Sequence, residues 1–169
     1  MIRPAYVRTM AAYNREVNRR LYAAAARLTE AERRRDAGAF WGSLHGTLSH
    51  LLWGDSIWLS RFSDWPKPGV PLAESAGMIQ DFAALTAARE KLDTAISDWA
   101  AAIDEAWLAT DQAWLSASAG CVRTEPRGLL VAHMFNHQTH HRGQAHALIT
   151  RAGEKTGDTD LFLVVPVIA

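Results

Sequence analysis

Apolar residues recur at three- and four-residue steps in four long segments of the chain, and this is the period of one helix face. The first segment covers about residues 5–28. The second begins after Ser43, a residue type that commonly caps helix N-termini. The first stripe is Tyr6, Met10, Tyr13, Val17, Leu21, Ala24 and Leu28, and the second is Leu44, Leu48, Leu51, Asp55, Trp58 and Phe62.

Two more segments, residues 79–106 and 126–151, show the same period. Pro126 suits the first position of a helix, and Gly153 suits a C-terminal stop. The third stripe is Phe82, Leu85, Arg89, Leu92, Ile96, Trp99 and Ile103, and the fourth is Leu130, Met134, His137, His141, Ala145 and Leu148. Four stripes of this kind bury one another only as a bundle.

The connections between these segments carry their own signals. Thr29 and Glu32 have the spacing of a capping box, which predicts a separate short helical turn. Residues 64–71 contain three prolines and a glycine and are predicted to be a linker. Residues 107–125 show no sustained period and are predicted to be irregular, with room for a short hairpin. The sequence therefore predicts an all-α protein, with residues 1–169 as one four-helix bundle domain.

Charge and cysteine content limit the classes of partner and the cellular compartment that are expected for the protein. Lys plus Arg and Asp plus Glu number 18 each, so the chain lacks the net positive charge typical of nucleic-acid binding. The single cysteine, Cys121, excludes an intrachain disulfide and fits a reducing compartment. No signal-peptide pattern is present at the N-terminus, and the apolar stretch after Asp160 is too short to span a bilayer. We expect a cytoplasmic protein with neither nucleic-acid nor membrane partners.

Histidines are concentrated in the fourth helical segment, where five of the seven lie between His133 and His146. Successive residues turn by about 100° around a helix, so His137 and His141 lie within about 20° of the centre of the apolar stripe. His133 and His140 lie toward its edge. Both inward-facing rings need polar partners. Judged by spacing alone, a divalent ion and hydrogen bonds within the core would satisfy that need equally well.

A third ligand would have to come from elsewhere, because two imidazoles leave an ion under-coordinated. The candidates are His50 and His45 in the second helix and Cys121 before the fourth. His50 lies about 100° from the centre of its stripe, so periodicity does not single it out. A carboxylate-bridged di-iron site is disfavoured, because the fourth helix lacks the Glu-x-x-His pair that such sites require.

Two stretches of sequence closely resemble the DinB family of metal-binding helical bundles, which is unrelated to the DNA polymerase of the same name. One is FWGSLHGTLSHLLWGD at residues 40–55, followed by Trp58, and the other is HMFNHQTHHRGQ at residues 133–144. The third helix is also similar, through Arg89 and the pair Leu92 and Asp93. The resemblance covers essentially the whole chain in the right order.

The resemblance implies three histidine ligands, which correspond here to His50, His137 and His141. It also implies one divalent ion, nickel or zinc, and a bundle whose helices are not in simple up-down order. Homodimers are frequent in the family, and some relatives use low-molecular-weight thiols as cofactors. The implied function is metal-dependent transfer of a small thiol. The alternatives are a metal-dependent hydrolase and a non-catalytic protein that binds metal or senses a small molecule.

Other polar residues on the stripes have two interpretations each. Asp55 and Arg89 either form a buried ion pair with each other, or Arg89 binds an anionic group of a substrate beside the metal. Gln144 would orient a metal-bound water, a ligand histidine or the substrate, or would make an ordinary core hydrogen bond. Arg142 is expected to point outward. The apolar faces of residues 99–107 are expected to supply a patch for a homodimer.

Overall fold

The computed structural model describes residues 1–116 and 119–168 of the chain. Residues 117, 118 and 169, which belong to the predicted irregular connection and to the end of the predicted domain, lie outside the described residues. The elements in chain order are α1 (Pro4–Ala26), α2 (Glu30–Arg34), α3 (Leu44–Phe62), a 3₁₀ helix (Leu72–Gly77), α4 (Phe82–Ala102), α5 (Glu105–Leu108), β1 (Asp111–Ser116), β2 (Cys121–Pro126), α6 (Arg127–Arg151) and α7 (Leu161–Val164). The predicted all-α four-helix bundle is confirmed, with α1, α3, α4 and α6 as its long helices.

Side-chain caps fix where several helices begin. Ser43 accepts a hydrogen bond from the Gly46 backbone N–H at the start of α3, as predicted. Thr29 and Glu32 form the predicted capping box, which starts α2. The third long helix is shorter than predicted, because Asp81 caps its first turn and Ile103 takes an extended conformation after its end.

The connections contain more structure than the sequence predicted. A 3₁₀ helix follows the proline-rich linker, and α5 is a separate turn capped by Asp104. Strands β1 and β2 form an antiparallel hairpin in which Asp111 pairs with Pro126 and Ser116 pairs with Cys121. Pro126 therefore ends the hairpin and directly precedes α6, one residue earlier than its predicted place inside the helix.

The four long helices are not arranged in sequence order. Helix α1 packs against α4 and α6, and α3 packs against α6 and α4, so the order around the bundle is α1, α4, α3, α6. The two pairs of diagonal helices are therefore α1 with α3 and α4 with α6. This arrangement places α3 beside α6, which are the two helices that carry the candidate metal ligands.

A buried polar network crosses the core and involves all four long helices. Arg89 forms ion pairs with Asp55 at 2.6 Å and with Asp93 at 2.8 Å. Its other members are Asn18, which donates to Asp93, Asn14, which donates to Gln138, and Arg142, which donates to Asn14. Buried charges require polar partners, and the network gives Arg89 two carboxylates but gives Arg142 the neutral side chain of Asn14.

Two expectations about exposed residues are wrong. Arg142 is only 4% exposed and belongs to the buried network, because the face of α6 beside the histidines packs on α1. Trp99 is 8% exposed and stacks on Phe62, with Trp107 edge-on to both. The segment expected to supply an apolar patch for a partner therefore contributes its tryptophans to the core instead.

Within residues 1–116 and 119–168, no helix is both long enough and apolar enough to cross a bilayer.

Candidate metal centre

Three histidines from α3 and α6 converge at one point of the helix interface. His50, His137 and His141 each offer a ring nitrogen, and these three atoms lie within 4.8 Å of one another. The Nε2 atoms of His137 and His141 are 3.1 Å apart. Two nitrogens bound to a tetrahedral zinc ion at 2.0–2.1 Å lie about 3.3 Å apart, so the observed separation suits a shared ion.

Ser75 and Trp41 fix the ring of His50. The Ser75 hydroxyl lies 2.9 Å from Nδ1 of His50, which leaves Nε2 free to bind an ion. Ser75 is fully buried, and the Ser49 hydroxyl donates a hydrogen bond to its carbonyl oxygen. The indole of Trp41 stacks on the imidazole with ring centroids 3.8 Å apart. These contacts preset the ring orientation that a metal ligand needs.

Gln144 fixes the ring orientation of His141. Its Oε1 lies 2.8 Å from Nδ1 of His141, and its Nε2 lies 3.1 Å from Nε2 of His140. A consistent pattern has Nδ1–H of His141 donating to Gln144, and the Gln144 amide donating to His140. Nε2 of His141 then keeps its lone pair toward His137 and His50. Of the interpretations proposed for Gln144, the orientation of a ligand histidine matches these contacts.

Gly54 makes room for the third ring, His137. A Cβ atom at position 54 would lie 2.5 Å from Cε1 of His137, so only glycine allows α3 to approach this imidazole so closely. Nδ1 of His137 is buried and has no hydrogen-bond partner among the described residues. The position of this ring therefore depends on packing against α3 and on whatever binds its Nε2.

Burial holds the three rings in the neutral form that binds metals. It lowers the pKa of His50 to about 3, with a further contribution from the neighbouring histidines, and lowers the pKa of His137 to about 4. The pKa of His141 is also lowered by burial, although its contact with Gln144 opposes the shift. All three groups therefore keep a free lone pair at neutral pH.

The other candidate ligands lie elsewhere. His45 faces away from the cluster, with Nε2 2.8 Å from the carbonyl oxygen of Ile79. Cys121 is exposed on β2. Among the residues that the structure describes, the group with metal-binding geometry is His50, His137 and His141.

Arg89 is enclosed in the core rather than open to a ligand. Its side chain is 1% exposed, and its guanidinium lies between the carboxylates of Asp55 and Asp93. Of the two interpretations of Arg89, the structure supports the ion pair, and the role of a substrate clamp has no geometric support. The second carboxylate, Asp93, was not anticipated as its partner, although it lies one helical turn away on α4.

A sequence profile of the DinB family matches residues 1–165. The chain belongs to the DinB family. Its fold is similar to the crystal structure of a DinB-like protein from Bacillus cereus, with a TM-score of 0.58 and 19% sequence identity, covering 85% of this chain and 90% of that one. At this identity the likeness establishes the fold alone. No curated protein matches the sequence.

Sequence reasoning missed most of the residues that support the three histidines of this DinB member. Ser75 lies in a 3₁₀ helix that has no periodic signal, and Trp41 precedes the helix whose ligand it stacks on. Gly54 was a detectable signal, because a glycine inside a predicted helix is unfavourable relative to alanine and suggests a packing reason. That His137 on α6 is the neighbour of Gly54 could not be predicted without knowing that α3 packs against α6.

Proposed function

We propose that this DinB-family protein binds one divalent ion, nickel or zinc, through His50, His137 and His141. The observation that carries the proposal is the convergence of three ring nitrogens within 4.8 Å. For two of the rings, a neighbouring side chain occupies the nitrogen that faces away. Three imidazoles are the protein ligands of many catalytic zinc sites and leave a coordination position open for a small molecule.

We further propose that the reaction is transfer of a low-molecular-weight thiol to an electrophilic carbon. A divalent ion with an open position lowers the pKa of a thiol or water that reaches it. In the transfer, the thiol loses its proton, its sulfur forms a bond to carbon, and the leaving group departs with the electron pair of the bond that breaks. The kinship to thiol-using relatives favours this chemistry over hydrolysis.

The surroundings of the cluster suit a small organic substrate. Phe40 is 82% exposed and packs edge-on against Trp41, which in turn covers His50. These rings offer an apolar surface beside the buried ring of His50. His140 is exposed next to His141, with ring centroids 4.8 Å apart. It is a candidate acceptor for the proton that the thiol releases, in place of the hydrogen bond that it accepts from Gln144.

The deciding experiment measures metal content and turnover together. Metal-loaded protein receives an alkylating electrophile with a panel of small thiols, and separately a panel of esters without thiol. We expect thiol-dependent turnover in the wild type, no metal and no turnover in His141→Ala, and retained metal in the matched control His140→Ala. Ester cleavage without thiol would favour the hydrolase. If neither panel gives turnover and the metal is retained, the result would favour a binding or sensing protein.

A further inference from the structure

A cavity on the opposite side of α6 from the histidines is not explained by the metal centre. It has a volume of about 290 Å³ and lies between α1, α6 and the chain after α6. Its walls include Tyr13, Val17 and Leu21 from α1, Arg142 and Gly143 from α6, and Asp158 from the following segment. We refer to it as the α1–α6 cavity.

The segment after α6 is held over this cavity by polar contacts. The Tyr13 hydroxyl donates to the carbonyl oxygen of Thr159 at 2.6 Å, and Thr156 contacts Nδ1 of His146 at 2.6 Å. Arg20 donates to the carbonyl oxygen of Asp158. The cavity is therefore a built feature with three walls rather than a shallow gap between two helices.

Arg142 brings a buried positive charge to the cavity wall. It is 4% exposed and forms hydrogen bonds to Asn14 and Thr139. Its guanidinium also lies over the Tyr13 ring, 5.2 Å from the ring centroid. A guanidinium has five N–H donors, and these two hydrogen bonds do not use all of them. Among the described residues, no carboxylate lies within ion-pairing distance of Arg142, whereas the equally buried Arg89 has two. A buried cation with spare donors favours an anionic partner.

Gly143 supplies the second, independent observation. A glycine inside a helix is less favourable than alanine, so its presence needs a reason. At Gly46 and Gly54 the reason is steric, because a Cβ would lie 2.3 Å and 2.5 Å from its nearest neighbour. At Gly143 a Cβ would have no neighbour within 4 Å. This glycine instead keeps the cavity open.

We propose that the α1–α6 cavity is a second ligand site, which binds a small monocarboxylate with an apolar body. The carboxylate would accept hydrogen bonds from Arg142, and the apolar part would contact Val17, Leu21 and the Tyr13 ring. The volume matches a ligand of about ten water-sized groups, at about 30 Å³ each. Asp158 at the rim disfavours ligands with several negative charges.

The test titrates wild-type protein with hexanoate and benzoate, and with hexanamide and benzamide as neutral controls, by calorimetry. We expect saturable binding of the carboxylates with a submillimolar dissociation constant, and binding of the amides at least tenfold weaker. Inorganic phosphate should bind no better than the amides. Equal binding of acids and amides, or no saturable binding below about 10 mM, would show a hydrated cleft only and would overturn the proposal.

A blocking variant assigns the binding to this cavity. Gly143→Leu fills the open space without meeting protein atoms at its Cβ and removes a helix-weakening glycine, so the protein should fold and keep its metal. It should lose carboxylate binding, whereas Ala147→Leu, on an exposed position of the same helix, should retain it. Carboxylate binding that survives Gly143→Leu, or that disappears when the metal is removed by chelation, would place the ligand elsewhere and refute the proposal.

Discussion

The contact between Gly54 and His137 makes the metal centre sensitive to a single methyl group. In Gly54→Ala, the new Cβ would lie 2.5 Å from Cε1 and 3.1 Å from Nδ1 of His137. Ordinary carbon contacts begin near 3.5 Å, so the imidazole must move by about 1 Å. Metal–ligand distances tolerate deviations of only about 0.2 Å, which makes such a displacement incompatible with the original coordination.

Gly54→Ala should change the stability of the protein only slightly and should weaken metal binding strongly. Alanine stabilises a helix interior over glycine by about 0.5–1 kcal/mol, whereas overpacking costs about 1–3 kcal/mol if nothing yields. In the metal-free protein the imidazole can yield by rotating, so the free energy of unfolding should change by less than about 1.5 kcal/mol. Metal affinity should fall at least tenfold, the lower end of the loss seen when ligand orientation is disturbed.

Two measurements on the purified variants check this. Zinc affinity is obtained by competition with a chromophoric chelator, and the stability of the metal-free protein by urea unfolding. Gly143→Ala is the matched control, because the same substitution on the neighbouring helix meets no atom within 4 Å. It should bind zinc as tightly as the wild type and gain about 0.5–1 kcal/mol of stability.

Wild-type zinc affinity in Gly54→Ala, together with loss of zinc in His137→Ala, would refute the reasoning. It would mean that His137 reaches the ion from a ring position that does not touch α3. A variant that is unfolded without metal would equally contradict the expectation that the imidazole yields.

Three further outcomes are expected, two from the contacts described above and one from the family resemblance. Arg89→Met should lower the free energy of unfolding by about 3–5 kcal/mol in urea titrations, because it strands the buried Asp55 and Asp93 carboxylates; a loss below 1 kcal/mol would argue against a structural ion pair. Ser75→Ala should weaken metal binding about 10- to 100-fold by releasing His50, and unchanged affinity would show that Ser75 does not orient that ring. The family resemblance alone predicts a homodimer, so light scattering at micromolar concentration should give the mass of two chains, and the mass of a monomer would contradict that prediction.

The long helices were predictable because each buries one continuous stripe, and a stripe is a local property of sequence. Histidines 137 and 141 were found in the same way, since both belong to the stripe of α6. His50 lies on the flank of its stripe, and only the family resemblance selected it over His45 and Cys121. Its role depends on which helix packs beside α3, and periodicity carries no information about that.

The buried polar groups also show the limit of predictions made from the periodicity of a single helix. A buried pair of Asp55 and Arg89 was one of two interpretations that the sequence allowed, because both residues interrupt apolar stripes. Arg142 was placed on the surface because a charged residue beside a stripe is usually solvated. The structure buries it because α6 contacts a neighbour on two sides, α3 and α1, so more of its circumference is covered than one stripe indicates. Bundle order, rather than any single helix pattern, decides such cases.

The order α1, α4, α3, α6 around the bundle also constrains how the chain acquires its structure. The first two long helices to leave the ribosome are diagonal to each other, so they share little contact surface beyond the hydrogen bond from the Tyr22 hydroxyl to the Leu48 carbonyl oxygen. Each must wait for α4 and then α6, which makes the productive contacts distant in sequence and slows folding relative to an up-down bundle. Until the last helix is synthesised, the nascent chain exposes apolar surface that a chaperone would recognise.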